Sequence, residues 1–260
     1  GLGDVYKRQA KGRAENTKPY FYLMYETVQS ILAKSGHINH KYLKESESDK
    51  KAVIVVTANR GLAGGYNSNI TRMIIDEGFT KENTVVYAVG KKGRELLERK
   101  GYEIKADYSE AINDPIYKDA KEICDDVLSA FADGEVGEIY LAYTVFKNTV
   151  VHEPQLIRLL PVEADDAAHE TDGSEALMTY EPSEEEALDM IIPKYVCSLV
   201  YGALIESVAS ENGARMQAMD SATSNAEEMI STLSLKYNRA RQASITQELT
   251  EIIAGANAIE

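Results

Sequence analysis

Tryptophan is absent from these 260 residues, and cysteine occurs twice. Cys124 and Cys197 stand 73 positions apart, with no CxxC and no histidine at ligand spacing. That excludes a disulfide framework and a zinc ribbon. Both cysteines read as small buried apolar residues, which implies a reducing compartment. Basic residues are also scarce: 28 Lys and Arg face 42 Asp and Glu, for a net charge of −14. A nucleic-acid binder needs the opposite sign, so that class is excluded unless a local basic patch exists. No apolar run approaches the ~20 residues of a membrane span. No charged, apolar, small-residue leader opens the chain. Hydrophobic residues make up 44%, enough to build a core, so wholesale disorder is excluded. The length allows one large domain or two small ones.

What is present divides into five stretches. Residues 1–9, GLGDVYKRQ, hold two glycines in three positions and do not lead into the helical pattern that follows. They read as a non-native prefix. Residues 10–50 read as an N-terminal helix and connector, with Met24, Val28 and Ile31 on one face, Pro19 as a kink and Gly36 as a stop. Residues 51–160 alternate between strands and short helices. Strands are predicted at 52–58, 84–90, 102–108, 138–146 and 150–160, the last two pairing as a hairpin. Helices are predicted at 68–77, 91–100 and from Pro115, at an N1-like position, to 132. That alternation predicts βαβ units and a mostly parallel sheet. Residues 161–182 read as an acidic loop. Between Leu159 and Pro193 there are eleven acids and no Lys or Arg, so this stretch alone carries −11.

From Ser183 to the end the pattern predicts one very long helix. Ser183 followed by Glu186 is a capping-box signature. Apolar residues keep 3/4 spacing at Met219, Ala222, Ala226, Met229 and Leu233, then at Ile245, Leu249, Ile252, Ala256 and Ile259. The whole run is roughly 110 Å of helix at ~1.5 Å per residue. The fold class expected is therefore α/β: a Rossmann-like central domain flanked by N- and C-terminal helices that form an antiparallel coiled coil.

Few motifs carry chemistry. RGLAGGYN at 60–67 sits between a strand and a helix, where a glycine turn could cradle phosphate. Its spacing fits neither the dinucleotide fingerprint nor the P-loop, and no lysine follows. It reads as a tight turn needing positive φ and close packing. His37 and His40 are close, but Gly36 breaks the helix that would face them together. The acidic loop offers carboxylate pairs without an apolar pocket to separate their pKa values. No nucleophile elbow occurs. No catalytic site, cofactor or metal is expected. The last block, YNRARQASITQELTEIIAGANA at 237–258, mixes Arg, Gln and Thr where plain solvation would favour Lys and Glu. That mixture suits specific contacts with a surrounding protein or, equally, an ordinary exposed coiled coil.

At these residues the chain resembles the gamma subunit family of F-type ATP synthase. The resemblance is carried by ARMQAMDSATSNAEEMI at 214–230, by the last block, by RGLAGGYNSNI at 60–70, by TYEPS at 179–183 and by ENTKPYF at 15–21. It runs from about Ala10 to Glu260. The resemblance implies a non-catalytic rotor: a central stalk that couples proton flow through the c ring to ATP synthesis or hydrolysis in the alpha/beta ring. It implies alpha, beta, epsilon and c-ring partners, and a peripheral place on the cytoplasmic side of a bacterial cell membrane. Nucleotide sites would lie on alpha and beta. Arg215, Gln242 and Thr246 match positions used against beta-subunit loops, with Arg241, Gln247, Glu248 and Glu251 as neighbours. Tyr180 and Glu181 match positions that touch the c ring. Asn59 stands where the family usually has Asp, and Ala63 where Cys is frequent. The family's first helix begins about 30 residues earlier, ~45 Å of helix, so the N-terminal helix is expected to be truncated here. Two other readings stay open: a nucleotide-binding Rossmann-type enzyme, and a generic coiled-coil scaffold.

Overall fold

A computed structural model describes residues 27–28, 40–43, 48–148, 151–162 and 183–257. Within them the elements run β1 Lys51–Val56, α1 Tyr66–Asp76, β2 Thr84–Val89, α2 Lys91–Arg99 and β3 Glu103–Asp107. They continue with α3 Tyr117–Ala132, β4 Glu138–Phe146, β5 His152–Leu160 and α4 Glu184–Asn257. The N-terminal helix falls outside the described residues except for Thr27 and Val28, which are helical. Its expected antiparallel pairing therefore lies outside them too, as do the acidic loop and the prefix.

Five strands form one sheet in the order β3-β2-β1-β4-β5. β1 pairs in parallel with β2 and β4, and β2 in parallel with β3. β5 returns antiparallel along β4, as the short connection predicts. β1 and β2 are apolar almost throughout because both their faces are covered. Alternation then assigns each side chain to a face. Ala52, Ile54, Val56, Val85, Tyr87, Ile139 and Leu141 join one cluster with residues of α3 and α4. Val53, Val55, Val86, Ala88 and Ala142 join another with Ile70 and Ile74 of α1 and Leu97 of α2. Val28 is fully buried in the first cluster, the one described residue that the N-terminal helix gives it.

Several local expectations shift. α3 starts at Tyr117, not at Pro115. Ile116 is its N-cap and donates its N–H to Asp119 Oδ2 at 2.9 Å, so the proline sits before the cap. In the glycine turn, Gly64 has φ of +57°, but Leu62, at +61°, shares the left-handed region although it is not a glycine. The two cysteines are buried, as expected, but not separately. Cys124 on α3 and Cys197 on α4 meet as thiols between the helices, and this contact with burial pushes the Cys124 thiol up.

The long helix runs from the capping Ser183 as expected, but its first part does not stand free. Instead Leu188, Ile192, Tyr195, Val196, Val200, Ala203 and Leu204 are packed into the first cluster against the sheet. Each fully buried Leu, Ile or Val contributes about 1.5–3 kcal/mol. The compact unit accordingly extends to Gln217, and a second unit spans Ala218–Glu260. An 18-residue window of α4 reaches a mean hydropathy of 1.5, apolar enough by composition to cross a bilayer. Its 56% burial against the sheet accounts for that hydrophobicity within the core. Ser183 caps the start, accepting the Glu186 N–H at 3.2 Å. Pro193 lies inside α4, whose helix continues past the missing donor.

Candidate functional site

In an open α/β sheet, ligands favour the crevice beyond the carboxyl ends of the strands where the strand order reverses. Here the reversal falls between β1 and β4. The loop after β1 carries RGLAGGYN, the segment that could have cradled phosphate. α4 occupies the crevice instead. Tyr66, 5% exposed, donates its hydroxyl to the Ser207 carbonyl at 3.0 Å. Ser210 Oγ donates to the Thr144 carbonyl of β4 at 3.1 Å. Arg215 donates from two guanidinium nitrogens to the Gly61 carbonyl at 3.4 Å and pairs with Glu211 at 2.6 Å. Burial, then the Glu211 charge, push the Tyr66 phenol up.

Close approach at the neighbouring strand ends is fixed by Gly90. At φ of +118°, a Cβ there would lie 2.1 Å from the Thr57 carbonyl oxygen. Thr57 Oγ1 donates to the Gly90 carbonyl at 3.2 Å and accepts the Gly93 N–H at 2.9 Å. The turn between β2 and α2 is thus closed by protein atoms.

The second region is α4 beyond Gln217. From Met219 onward every side chain whose exposure is described is exposed. The predicted contact residues Arg241, Gln242, Thr246, Gln247, Glu248 and Glu251 all lie here on helix. At about 3.6 residues per turn, Ile245, Leu249 and Ile252 form one stripe. Gln242 and Thr246 border it on one side, Arg241 and Glu248 on the other, and Gln247 and Glu251 stand opposite. Thr246 Oγ1 donates to the Gln242 carbonyl at 2.8 Å, and Gln247 donates to Glu251 at 3.0 Å. The apolar stripe is bare: Leu249 is 55% exposed and Ile252 68%. Large apolar side chains exposed in series mark a surface for a protein partner.

Arg215 is placed differently from the other predicted contacts. It lies in the compact unit, largely covered, with its guanidinium on its own chain. Tyr180 and Glu181 lie outside the described residues. His40 is buried beside Asp189 of α4 at 3.2 Å, and His37 lies outside the described residues. Among the described residues no group of three or more His, Cys, Asp or Glu could hold a metal ion. Sequence reasoning missed Tyr66, Ser207, Ser210 and Glu211. Their only local signal was the glycine turn, and nothing in it pointed to residues about 140 positions away.

A family model described as ATP synthase matches residues 5–259, reaching back into the segment read as a prefix. The ATP synthase gamma chain of Lachnoclostridium phytofermentans is 65% identical, over 99% of this chain and 91% of its own length. That of Alkaliphilus metalliredigens is 42% identical over 97% of this chain and 89% of its own. One from Acetobacterium woodii, described as sodium ion specific, is 41% identical over 97% and 89%. Among solved structures, a chain of the Tetrahymena thermophila mitochondrial ATP synthase central stalk and c-ring matches with a TM-score of 0.57 at 23% identity. It covers 86% of this chain and 100% of that one. A chain of Euglena gracilis mitochondrial ATP synthase matches with a TM-score of 0.60 at 18% identity, covering 98% and 95%. The structural likenesses speak to the fold, an α/β sheet with a long C-terminal helix. Sequence matches of this extent define a subunit of ATP synthase. The chain belongs to the ATP synthase gamma-chain family.

Proposed function

We propose that this chain turns inside an alpha/beta ring as the rotor of an F-type ATP synthase, coupling ion flow through a c ring to ATP synthesis or hydrolysis. The observation that carries this is the exposed helix 219–257. It presents an apolar stripe, an Arg/Glu border and a Gln/Thr border, with Gln and Glu on the opposite face, so no two directions around its axis are alike. A ring of similar subunits around such a helix meets a different surface at each position. Differential contact energy then biases each subunit toward a different state, and rotation moves the bias on.

Gln242 and Thr246 are the principal contacts to beta-subunit loops in this reading. Arg241, Gln247, Glu248 and Glu251 surround them. Arg215 reaches the ring through the Gly61–Leu62 backbone it holds, and Leu62 is 77% exposed there. Tyr180 and Glu181 touch the c ring, and the epsilon subunit sits beside the sheet domain. The chain itself is non-catalytic, with nucleotide chemistry on alpha and beta. It would lie peripherally on the cytoplasmic side of a bacterial membrane. The membrane subunits choose the ion, proton or sodium.

The test is reconstitution with alpha and beta subunits, comparing this chain with one whose residues 237–257 are scrambled. Stable assembly with ATP hydrolysis is expected only for the native block. Equal hydrolysis from the scrambled chain would remove the rotor reading. Gln242→Ala with Thr246→Ala should cut ATP synthesis several-fold, about 1 kcal/mol per lost contact, and leave the unfolding midpoint of the sheet domain in place. Undiminished synthesis would remove these two residues from the contact set.

A further inference from the structure

The crevice at the β1/β4 switch point holds a set of directional bonds and one close packing contact. Three separate pieces of the sheet's carboxyl edge converge on one stretch of α4. The segment after β1 supplies Tyr66, at the start of α1, to the Ser207 carbonyl at 3.0 Å and the Gly61 carbonyl of the loop to Arg215 at 3.4 Å. The end of β4 supplies the Thr144 carbonyl to Ser210 at 3.1 Å. The start of β5 supplies His152, whose ring lies so close to Gly213 that a Cβ there would stand 2.6 Å from its Cε1. Gly213 is buried within α4, and glycine inside a helix is unfavourable by about 1 kcal/mol against alanine. Close approach is the evident compensation. All four anchors fall between Ser207 and Arg215, in the stretch just before the helix becomes exposed at Met219.

A helix packed on a sheet by apolar contacts alone resists sliding and twisting weakly, because such contacts are non-directional. Directional bonds from several sides resist rotation of the helix about its own axis. We infer that the switch-point crevice, a ligand site in other open α/β sheets, is here a torsional clamp. Tyr66, Ser210, Gly213 and Arg215 are its positioning residues, making α4 and the sheet turn as one body. The clamp rests on the rotor reading for its purpose, though its existence as a clamp does not.

Two arms test it. In the isolated full chain, hydrogen exchange is measured for the amides of 204–217 and of the loop 57–66. Tyr66→Phe with Ser210→Ala removes two of the bonds and keeps the packing volume. Exchange in both segments is expected to rise by about tenfold, more than in the rest of the sheet domain, while the global urea midpoint falls modestly for want of the two bonds. Unchanged exchange in either segment overturns the clamp, whatever the chain's partners are. In the assembled ATP synthase the same double variant is then compared with wild type for ions pumped per ATP hydrolysed, against a rising opposing gradient. Pumping per ATP is expected to fall several-fold at high load while unloaded hydrolysis stays near wild type. Equal loss of both, or loss of neither, overturns the torsional role. Gly213→Ala, which forces α4 away from His152, should reproduce the load-dependent loss by a different route. If the wild-type chain itself neither assembles nor supports pumping, the rotor reading fails and the exchange arm alone decides the clamp.

Discussion

Asn59 donates its amide to the Ser109 carbonyl at 2.7 Å and to Asn113 Oδ1 at 3.0 Å, and accepts the Lys91 N–H at the start of α2 at 2.9 Å. One side chain thus joins the loop after β1, the turn after β3 and a helix N-terminus. Asn59→Ala should lower stability by about 1–3 kcal/mol, read as a shifted urea midpoint. Asn59→Asp, which restores the residue usual in the resembled family, keeps the acceptor and puts negative charge at the N-terminus of α2. It should lose less, and an equal loss would discount the Lys91 bond. Tyr66 gives a pH test. Burial raises its folded pKa above the unfolded tyrosine value of about 10. Its contribution is therefore complete below that value and is lost as pH rises toward the folded pKa. Tyr87, pushed up to about 12 mainly by burial, adds to the same trend. The wild-type urea midpoint should fall between roughly pH 9 and 12. Tyr66→Phe should start lower, for want of the Ser207 bond, and fall less steeply. Neither residue's role was legible in the sequence, because each depends on partners set by the fold; the glycine turn marked the place but not the contacts.

α4 is one helix with two environments. Its first part is held by the sheet, and its last part has every described side chain exposed. Ile192→Ala should cost about 2–5 kcal/mol by opening a cavity in the core. Leu233→Ala, the same kind of truncation, should change the isolated chain by no more than about 0.5 kcal/mol. Denaturation of both variants checks this, and similar losses would contradict the described exposure of Leu233. The strands and helices of residues 51–160 could be read beforehand because alternation, glycine stops and short connections are local signals. So could the length of α4. Its division could not, because Leu188, Ile192 and Leu233 obey the same 3/4 spacing and periodicity does not name the partner a stripe meets. The candidate contact residues came from the family resemblance; taken alone, the block around Gln242 and Thr246 read only as a departure from simple solvation chemistry.

For the whole molecule, the bare stripe has a consequence in solution. Without partners, the isolated chain should self-associate as concentration rises. Leu233→Glu with Ile252→Glu should return it toward a monomer in sedimentation velocity. Monomeric wild type at high concentration would show the stripe to be satisfied without a partner chain. The burial of Leu188 to Leu204 on the sheet has another consequence, for how each copy is made. Synthesis runs from the N-terminus, and all five strands are complete at Leu160. α4, which shares the covering of one sheet face with α3, follows only from Glu184 onward. Until it is made, a mostly parallel sheet, slow to pair in any case, carries one apolar face covered by α3 only in part. The covering helix α4 is thus translated only after every strand it packs against, which makes the nascent domain a client for chaperone binding until α4 arrives.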